Sequence, residues 1–205
     1  MKYIDLRNAL KDFTIFSIND IRKIDENFHR RRLNEWQDKG YIKKVIDKYY
    51  IFTDTELNEN ILFEIANRIY NPSYISLEMA LSYYNLIPET VYTITSISTR
   101  RTYSFNTPVG NFEYRTVKVD YFFGYKFIDY NNHRYKIGCP EKVILDYFYL
   151  NPAIKRKIDF ESLRIDRDVF FDRIDKEILF EFLERFKQKA LKKRINTLFK
   201  FTGND

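Results

Sequence analysis

The chain has 205 residues, of which 44% are hydrophobic and 31% charged, enough for one domain or for a small domain joined to a medium one. Five glycines, five prolines and one cysteine exclude collagen-like, linker-like and disulfide-scaffold classes, while aromatic residues are abundant at 18%. Cys139 has no intramolecular disulfide partner, which suits a reducing compartment. The longest stretch without a charged side chain is the eleven residues Thr102–Phe112, against roughly 20 apolar residues for a membrane helix. Lys2, Asp5, Arg7, Lys11 and Asp12 stand where a signal peptide would place an apolar run. The expectation is a soluble cytoplasmic protein with no membrane partner.

Net charge is +6, with +4 over residues 1–53, +5 over residues 155–200 and −3 elsewhere. A basic excess attracts polyanions, but arrangement decides whether it is used.

In chain order, Ile4, Leu6 and Leu10 predict a first helix to about Asp12, and Phe13–Ser17 a short extended stretch. Ser17 with Asp20 resembles a capping box opening a second helix, whose apolar stripe would be Ile18, Ile21 and Ile24. Asn27 suits the N-cap of a third helix to Lys39, ended by Gly40. Tyr41–Ile46 and Tyr49–Phe52 around Asp47-Lys48 predict a hairpin. Three helices followed by a hairpin is the order of a winged helix-turn-helix.

On the third helix Phe28, Leu33 and Trp36 share the core face, with His29 on the core side as a packing residue. The other face presents Arg30, Arg31, Asn34, Gln37 and Asp38. Arg pairs bidentately with guanine, and Asn or Gln with adenine. Arg32 adds charge, and Lys43, Lys44 and Lys48 of the hairpin are placed for phosphates. A lone run of three arginines is more often a solvated helical face. Its coincidence with the third helix of this motif favours duplex DNA.

Thr53–Asn60 is polar and marks a boundary at about residue 55. Ile61, Ile65 and Ile69 predict a helix over 60–70, stopped by Asn71-Pro72. Tyr74-Ile75 reads as an extended link, and Ser76 as the cap of a helix carrying Leu77, Ala80, Leu81 and Tyr84. Val91–Ile97, Arg101–Phe105, Phe112–Val119, Tyr121–Phe127 and a hairpin over 127–137 predict an antiparallel sheet, with His133 exposed in the last turn. Pro140 opens a helix to Leu150. The remainder is helical, with stripes Leu179, Phe182, Leu183, Phe186, Ala190 and Leu191, Ile195, Leu198, Phe199, and a break near Lys187–Lys189. The aromatic content of residues 56–205 exceeds what packing alone calls for. Arg185–Lys200 holds seven basic and no acidic residues. It is either a solvated outer face or a second phosphate-contacting surface through Lys189, Lys192 and Lys193.

The glycines, at 40, 110, 124, 138 and 203, are too scattered for a phosphate loop or dinucleotide fingerprint. Two histidines and one cysteine do not supply a zinc site of usual spacing, and a triad would need His29 or His133 as its base. Glu113 in a strand, with Asp120 near it, leaves carboxylate-held metal chemistry open as in nucleases, but Arg115 stands where such sites commonly use lysine. The expectation is no catalytic residue, no metal and no cofactor.

Tyr74-Ile75-Ser76-Leu77-Glu78-Met79-Ala80-Leu81-Ser82-Tyr83-Tyr84-Asn85-Leu86-Ile87 resembles the Y-x-S-x-x-x-A-L-x-x-x-x-L-I segment of AbiEi-family antitoxins. Phe123-Gly124 and Cys139-Pro140-Glu141-Lys142-Val143-Ile144-Leu145-Asp146 resemble that family too, with Val143 where alanine is common in its P-E-K-A-x-x-D segment. The resemblance covers most of residues 1–150 and fades in the C-terminal helices. It implies a transcriptional regulator and antitoxin of a type IV toxin–antitoxin pair, of the kind linked to phage defence. An N-terminal winged helix would repress its own operon at inverted repeats, and the larger region would counteract a nucleotidyltransferase toxin without a stable complex. The fold expected is α+β: a winged helix-turn-helix over 1–55, then a mixed helix and antiparallel-sheet domain with C-terminal helices over 56–205. The rival is a winged-helix module for protein interaction or general regulation, without an antitoxin role.

Overall fold

The computed structural model describes residues 1–203, so the last two residues of the expected second domain lie outside the described chain. The first 52 residues form α1 (Tyr3–Ala9), β1 (Phe16–Ser17), α2 (Ile18–Arg22), α3 (Arg31–Asp38), β2 (Ile42–Ile46) and β3 (Tyr49–Phe52). The strands pair antiparallel in the order β1-β3-β2.

Local chemistry explains most of these boundaries. Ser17 and Asp20 close a full capping box: the Asp20 N–H donates to Ser17 Oγ at 3.3 Å and the Ser17 N–H to Asp20 Oδ2 at 2.8 Å. Gly40 sits at φ +69°, and its N–H donates to the Gln37 carbonyl while that of Tyr41 reaches the Trp36 carbonyl, each at 2.9 Å. That pair of bonds is a Schellman ending for α3, and glycine carries its left-handed residue without a Cβ penalty.

Three local expectations are corrected here. α3 starts at Arg31, not at Asn27, because Asp25–Phe28 closes its own turn: the Phe28 N–H donates to the Asp25 carbonyl and the Asn27 N–H to Asp25 Oδ1. Ile24 lies beyond the end of α2 and is exposed, so only Ile21 of the expected stripe is fully buried. His29, ahead of the helix, is exposed and not packed.

The larger part contains α4 (Glu59–Ile69), β4 (Ser73–Ile75), α5 (Leu77–Tyr83), β5 (Thr93–Ser98), β6 (Tyr103–Thr107) and β7 (Gly110–Thr116). A 3-10 turn (Val119–Tyr121) leads to β8 (Tyr125–Tyr130) and β9 (His133–Gly138). Five helices follow: α6 (Pro140–Leu150), α7 (Lys157–Ser162), α8 (Arg167–Arg173), α9 (Lys176–Phe186) and α10 (Lys189–Gly203). The sheet runs β6-β7-β5-β4-β9-β8 and is mixed, not antiparallel as expected, since β5 pairs parallel with β7 and β4 with β9. Tyr74-Ile75, expected as a link, belongs to β4, one of the two central strands. The expected strand Tyr121–Phe127 begins only at Tyr125, after the 3-10 turn.

Helices cover both faces of this sheet. Tyr114 and Tyr135 face α4, donating to the Ala66 carbonyl (2.7 Å) and to Asn60 Oδ1 (2.9 Å). Tyr74 points the other way, into a fully buried polar cluster with α6. Its hydroxyl accepts from Lys142 Nζ at 2.9 Å and donates to Asp146 Oδ2 at 2.7 Å, while Lys142 also bonds Asp146 directly. Ser76 Oγ donates to the same carboxylate at 3.0 Å instead of capping α5, which corrects the expected role of that serine. Gly124, at φ +68°, lets the chain pass this cluster: a Cβ there would stand 3.0 Å from Lys142 Cγ and from the Phe182 ring.

Many of the aromatic side chains pack inside, while Tyr92, Tyr103, Phe127 and Phe171 of residues 56–205 stay exposed. Phe63, Phe112, Tyr114, Phe148, Phe160 and Phe186 are all in the core. The break between α9 and α10 falls at Lys187, which is left-handed at φ +51°. The two stripes pack as expected except for Ala190, which is exposed because the break turns it away from the α9 face.

Breaking the buried pair is expected to cost much more than replacing it. Asp146→Leu leaves the Lys142 ammonium uncompensated and should lose about 3–5 kcal/mol by urea denaturation. Adding Lys142→Met should recover most of that loss, and an equal or larger loss in the double variant would show that the cluster acts through something other than charge burial.

Candidate nucleic-acid interface

The small N-terminal region has its own apolar centre, in which Leu6, Phe16, Phe28, Leu33, Trp36 and Phe52 pack together. Its sheet is two-sided. Val45 and Ile51, with Ile15 ahead of β1, belong to the larger core instead, so the region is seated on the rest of the chain. Arg68 of α4 pairs with Asp20 at 3.3 Å, and Arg7 with Asp54 at 3.1 Å. Thr14, Glu64 and His133 form a further link: Thr14 Oγ1 donates to Glu64 Oε2 at 2.5 Å and His133 Nδ1 lies 3.1 Å from the same oxygen. His133, expected to be exposed, is therefore half-buried against the N-terminal region.

Leu33 and Trp36 hold α3 by one face, and the other face carries the predicted readers. Among the described residues Arg30 and Asn34 are exposed and make no side-chain hydrogen bond or ion pair, and Arg31 is 89% exposed with Glu35 at 4.0 Å. Arg32 is different, since its guanidinium lies 5.6 Å from the Trp36 ring centre with Nε buried and unpartnered. Gln37 Nε2 donates to the Leu33 carbonyl of its own helix at 3.1 Å.

The hairpin lysines also separate. Lys44 is held by Asp47 at 2.6 Å, which raises its pKa through that hydrogen bond. Lys43 is half-buried, whereas Lys48 stands exposed at the tip with φ +76°.

Arg30, Lys48 and Arg22 line one cleft of about 310 Å³ between α2, α3 and the hairpin tip, with Ser17 and Asn19 on its edge. Among the described residues none of the three forms an ion pair with a carboxylate, although Asp47, held by Lys44, is close enough that Arg30 and Lys48 help to lower its pKa. Three unpaired positive charges on one concavity favour an anion such as a phosphate. Arg22 was not among the predicted residues; its place in the last turn of α2, next to buried Ile21, is the signal that could have found it.

The C-terminal basic segment is partly spoken for. Arg194 is buried and donates to the Phe148 carbonyl at 2.9 Å, and Arg185 stacks 3.7 Å from the Phe123 ring centre. Lys192 pairs with Glu184, leaving Lys189 and Lys193 exposed on α10. Glu113 lies in β7 beside Arg115 at 3.9 Å, and Asp120 is exposed in the 3-10 turn. Among the described residues no helix is long and apolar enough to cross a membrane.

Comparison with known proteins adds no relative: no family model matches the chain, and no curated protein matches it.

Two stability measurements check this geometry. Arg32→Ala should cost about 1 kcal/mol through the lost stacking on Trp36, while Arg31→Ala should stay within about 0.5 kcal/mol of the parent. Asp20 is the pH probe. Burial pushes its pKa up, but the Ser17 hydroxyl and amide with Arg68 bring it below the ordinary carboxylate value. Its stabilising contribution is thus full above the unfolded value of about 3.9 and fades as pH falls below it. The stability gap between the parent and Asp20→Asn should be flat from pH 5 to about 8 and narrow below about pH 4.

Proposed function

We propose that this chain is a DNA-binding transcriptional autorepressor and the antitoxin of a type IV toxin–antitoxin pair. In this reading residues 1–55 are a winged helix-turn-helix, α3 is its recognition helix and the β2–β3 hairpin its wing. Arg30, Arg31 and Asn34 read base edges in the major groove at inverted repeats of its own promoter. Lys48 and Arg22 hold phosphates beside them. The observation that carries this reading is the cleft lined by Arg22, Arg30 and Lys48, none of which forms an ion pair among the described residues. Arg32 and Gln37 serve the helix more than the ligand, since both are engaged within it.

The antitoxin half rests on the resemblance of residues 74–87 and 139–146 to AbiEi-family segments. The chain would work in the cytoplasm without cofactor, metal or catalytic step, and counteract a nucleotidyltransferase toxin without a stable complex. The larger region, with Lys189 and Lys193 open on α10, is the proposed neutralising part.

Fluorescence anisotropy on the upstream duplex of its own gene tests the DNA half. Arg30→Ala or Asn34→Ala should cost roughly 1–3 kcal/mol and relax specificity at one base pair. Lys48→Ala should weaken all sequences alike and flatten the salt dependence by about 0.9 per lost contact. Binding to that duplex no tighter than to random DNA at moderate salt would overturn the reading and favour a protein-interaction module. The triple alanine variant of Arg30, Arg31 and Asn34 should lose repression but keep neutralisation, scored as growth beside a downstream nucleotidyltransferase. A folded variant that loses both would mean that antitoxicity acts through transcription.

A further inference from the structure

A partly enclosed apolar hollow of about 250 Å³ lies among α5, α6, the loop over 87–91 and the link between α7 and α8. It shares no lining residue with the α3 cleft. Leu81, Ile144 and Phe148 form its buried wall, and Ile87, Leu163 and Ile165 its half-buried sides. The volume falls just below the roughly 300–1,000 Å³ of a drug-sized ligand site, so an occupant has to be small.

Two bonds fix the segments that frame this space. The Asp166 N–H donates to the Leu86 carbonyl at 3.0 Å, and Arg164 pairs with Glu89 at 3.2 Å. They hold the α7–α8 link against the chain leaving α5, while the space between these segments and α6 stays unfilled. The walls are therefore set before any ligand arrives, as in most small-molecule sites.

The polar groups on the walls include no cation among the described residues. Glu78 of α5 is half-buried and, among the described residues, makes no hydrogen bond or ion pair. The Tyr147 hydroxyl of α6 also has no hydrogen-bond partner among them. Burial raises the Tyr147 pKa and the charges of Glu78 and Glu89 raise it further, so both carboxylates stand near that hydroxyl. Glu89 is engaged by Arg164, and Ser162 Oγ donates to the Asp159 carbonyl at 2.8 Å. Glu78 and the Tyr147 hydroxyl are the groups left for a ligand.

A carboxylate at the edge of an apolar surface loses hydration and, without a cation, gains nothing in return. An anion in the hollow would meet the repulsion of two carboxylates. A neutral apolar molecule would strip more water from Glu78. An apolar body with an ammonium head satisfies the walls and the carboxylate together.

We propose that this hollow binds a small organic ammonium, a primary amine carried on one aromatic ring or branched alkyl group. The ammonium donates to the Glu78 carboxylate and to the Tyr147 hydroxyl oxygen, with Glu89 adding negative potential beside them. The body lies against Leu81, Ile144 and Phe148. The site is independent of the DNA reading, since none of its groups belongs to the proposed recognition helix.

Titration calorimetry of the full chain with 2-phenylethylamine, 2-phenylethanol and ethylamine tests the assignment. The first carries ring and charge, the second the ring alone and the third the charge alone. The net charge of +6 gives the chain no general attraction for cations, so amine binding reports the site. 2-Phenylethylamine should bind about tenfold or more tightly than either of the others. Glu78→Gln should weaken the amine about tenfold or more and leave the alcohol unchanged. It should not lower the melting temperature, because the parent carboxylate has no partner to lose. Leu163→Trp fills the hollow from its half-buried side and should weaken amine and alcohol alike. Glu181→Gln removes the same charge from an exposed position on α9 and should bind the amine as the parent does. No binding of 2-phenylethylamine at millimolar concentration, an alcohol bound as tightly as the amine, or parental affinity in Glu78→Gln would each overturn the proposal. So would a loss in Glu181→Gln as large as that in Glu78→Gln, which would make net charge, and not the hollow, the attraction.

Discussion

The larger part of this protein is organised around an ion pair that water never reaches. Lys142 and Asp146 are one helical turn apart on α6, so each needs the other to avoid being a lone buried charge. Burial pushes the Asp146 carboxyl up and the Lys142 ammonium down, and their mutual attraction opposes both shifts. The hydroxyls of Tyr74 and Ser76 complete the carboxylate's hydrogen bonding. The consequence is positional: β4, the entry to α5 and the first two turns of α6 are tied at one point in the middle of the sheet. A purely apolar contact there would tolerate sliding of α6 along the strand, whereas directional bonds to four named atoms do not. Lys142 is also ringed by Tyr74, Phe123 and Phe186 within 5.5 Å of each ring centre, which brings the α9 end into the same arrangement.

This cluster gives physical meaning to the segments that resemble AbiEi-family antitoxins. The tyrosine and serine of the first segment and the lysine and aspartate of the second are the four members of one hydrogen-bonded set in this chain. Neighbouring Glu141 accepts the Asp175 N–H ahead of α9 at 2.9 Å. Residues with polar side chains in such patterns invite a catalytic reading, but here they are enclosed among aromatic rings. Their work in this chain is to fix architecture, and the surfaces available to partners lie elsewhere.

Elements set by neighbours in sequence were legible. The Ser17–Asp20 box, the Gly40 ending, the Asp47-Lys48 turn and the Lys187 break depend on chemistry within about four residues, and each falls near its expected place. Elements set by distant partners were not. β4 has three residues and is buried on both faces, so it carries no alternation to distinguish a central strand from a link. The parallel pairing of β5 with β7 depends on where β6 folds back, which no local pattern encodes. His29 and His133 were assigned opposite environments from those found, because a helical wheel does not apply to a residue before the helix begins. A turn is exposed only if nothing docks on it, and His133 meets Thr14 from 119 residues away.

The basic balance of the chain needs the same discrimination before it is used as an argument about polyanions. Lys142 and Arg194 are buried, Arg32 and Arg185 lie over aromatic rings, and Lys44 and Lys192 hold carboxylates. Subtracting such residues removes much of what makes the Arg185–Lys200 segment look like an anion-binding face. It removes less from the N-terminal region, where Arg22, Arg30 and Lys48 line one cleft and form no ion pair among the described residues. A cation already neutralised by a neighbour gains little from a phosphate, because the new contact must replace the old one. An unpaired cation held on a rigid element gives up only its water. The positions of unpaired charge, and not the net charge of +6, therefore decide where a polyanion would settle.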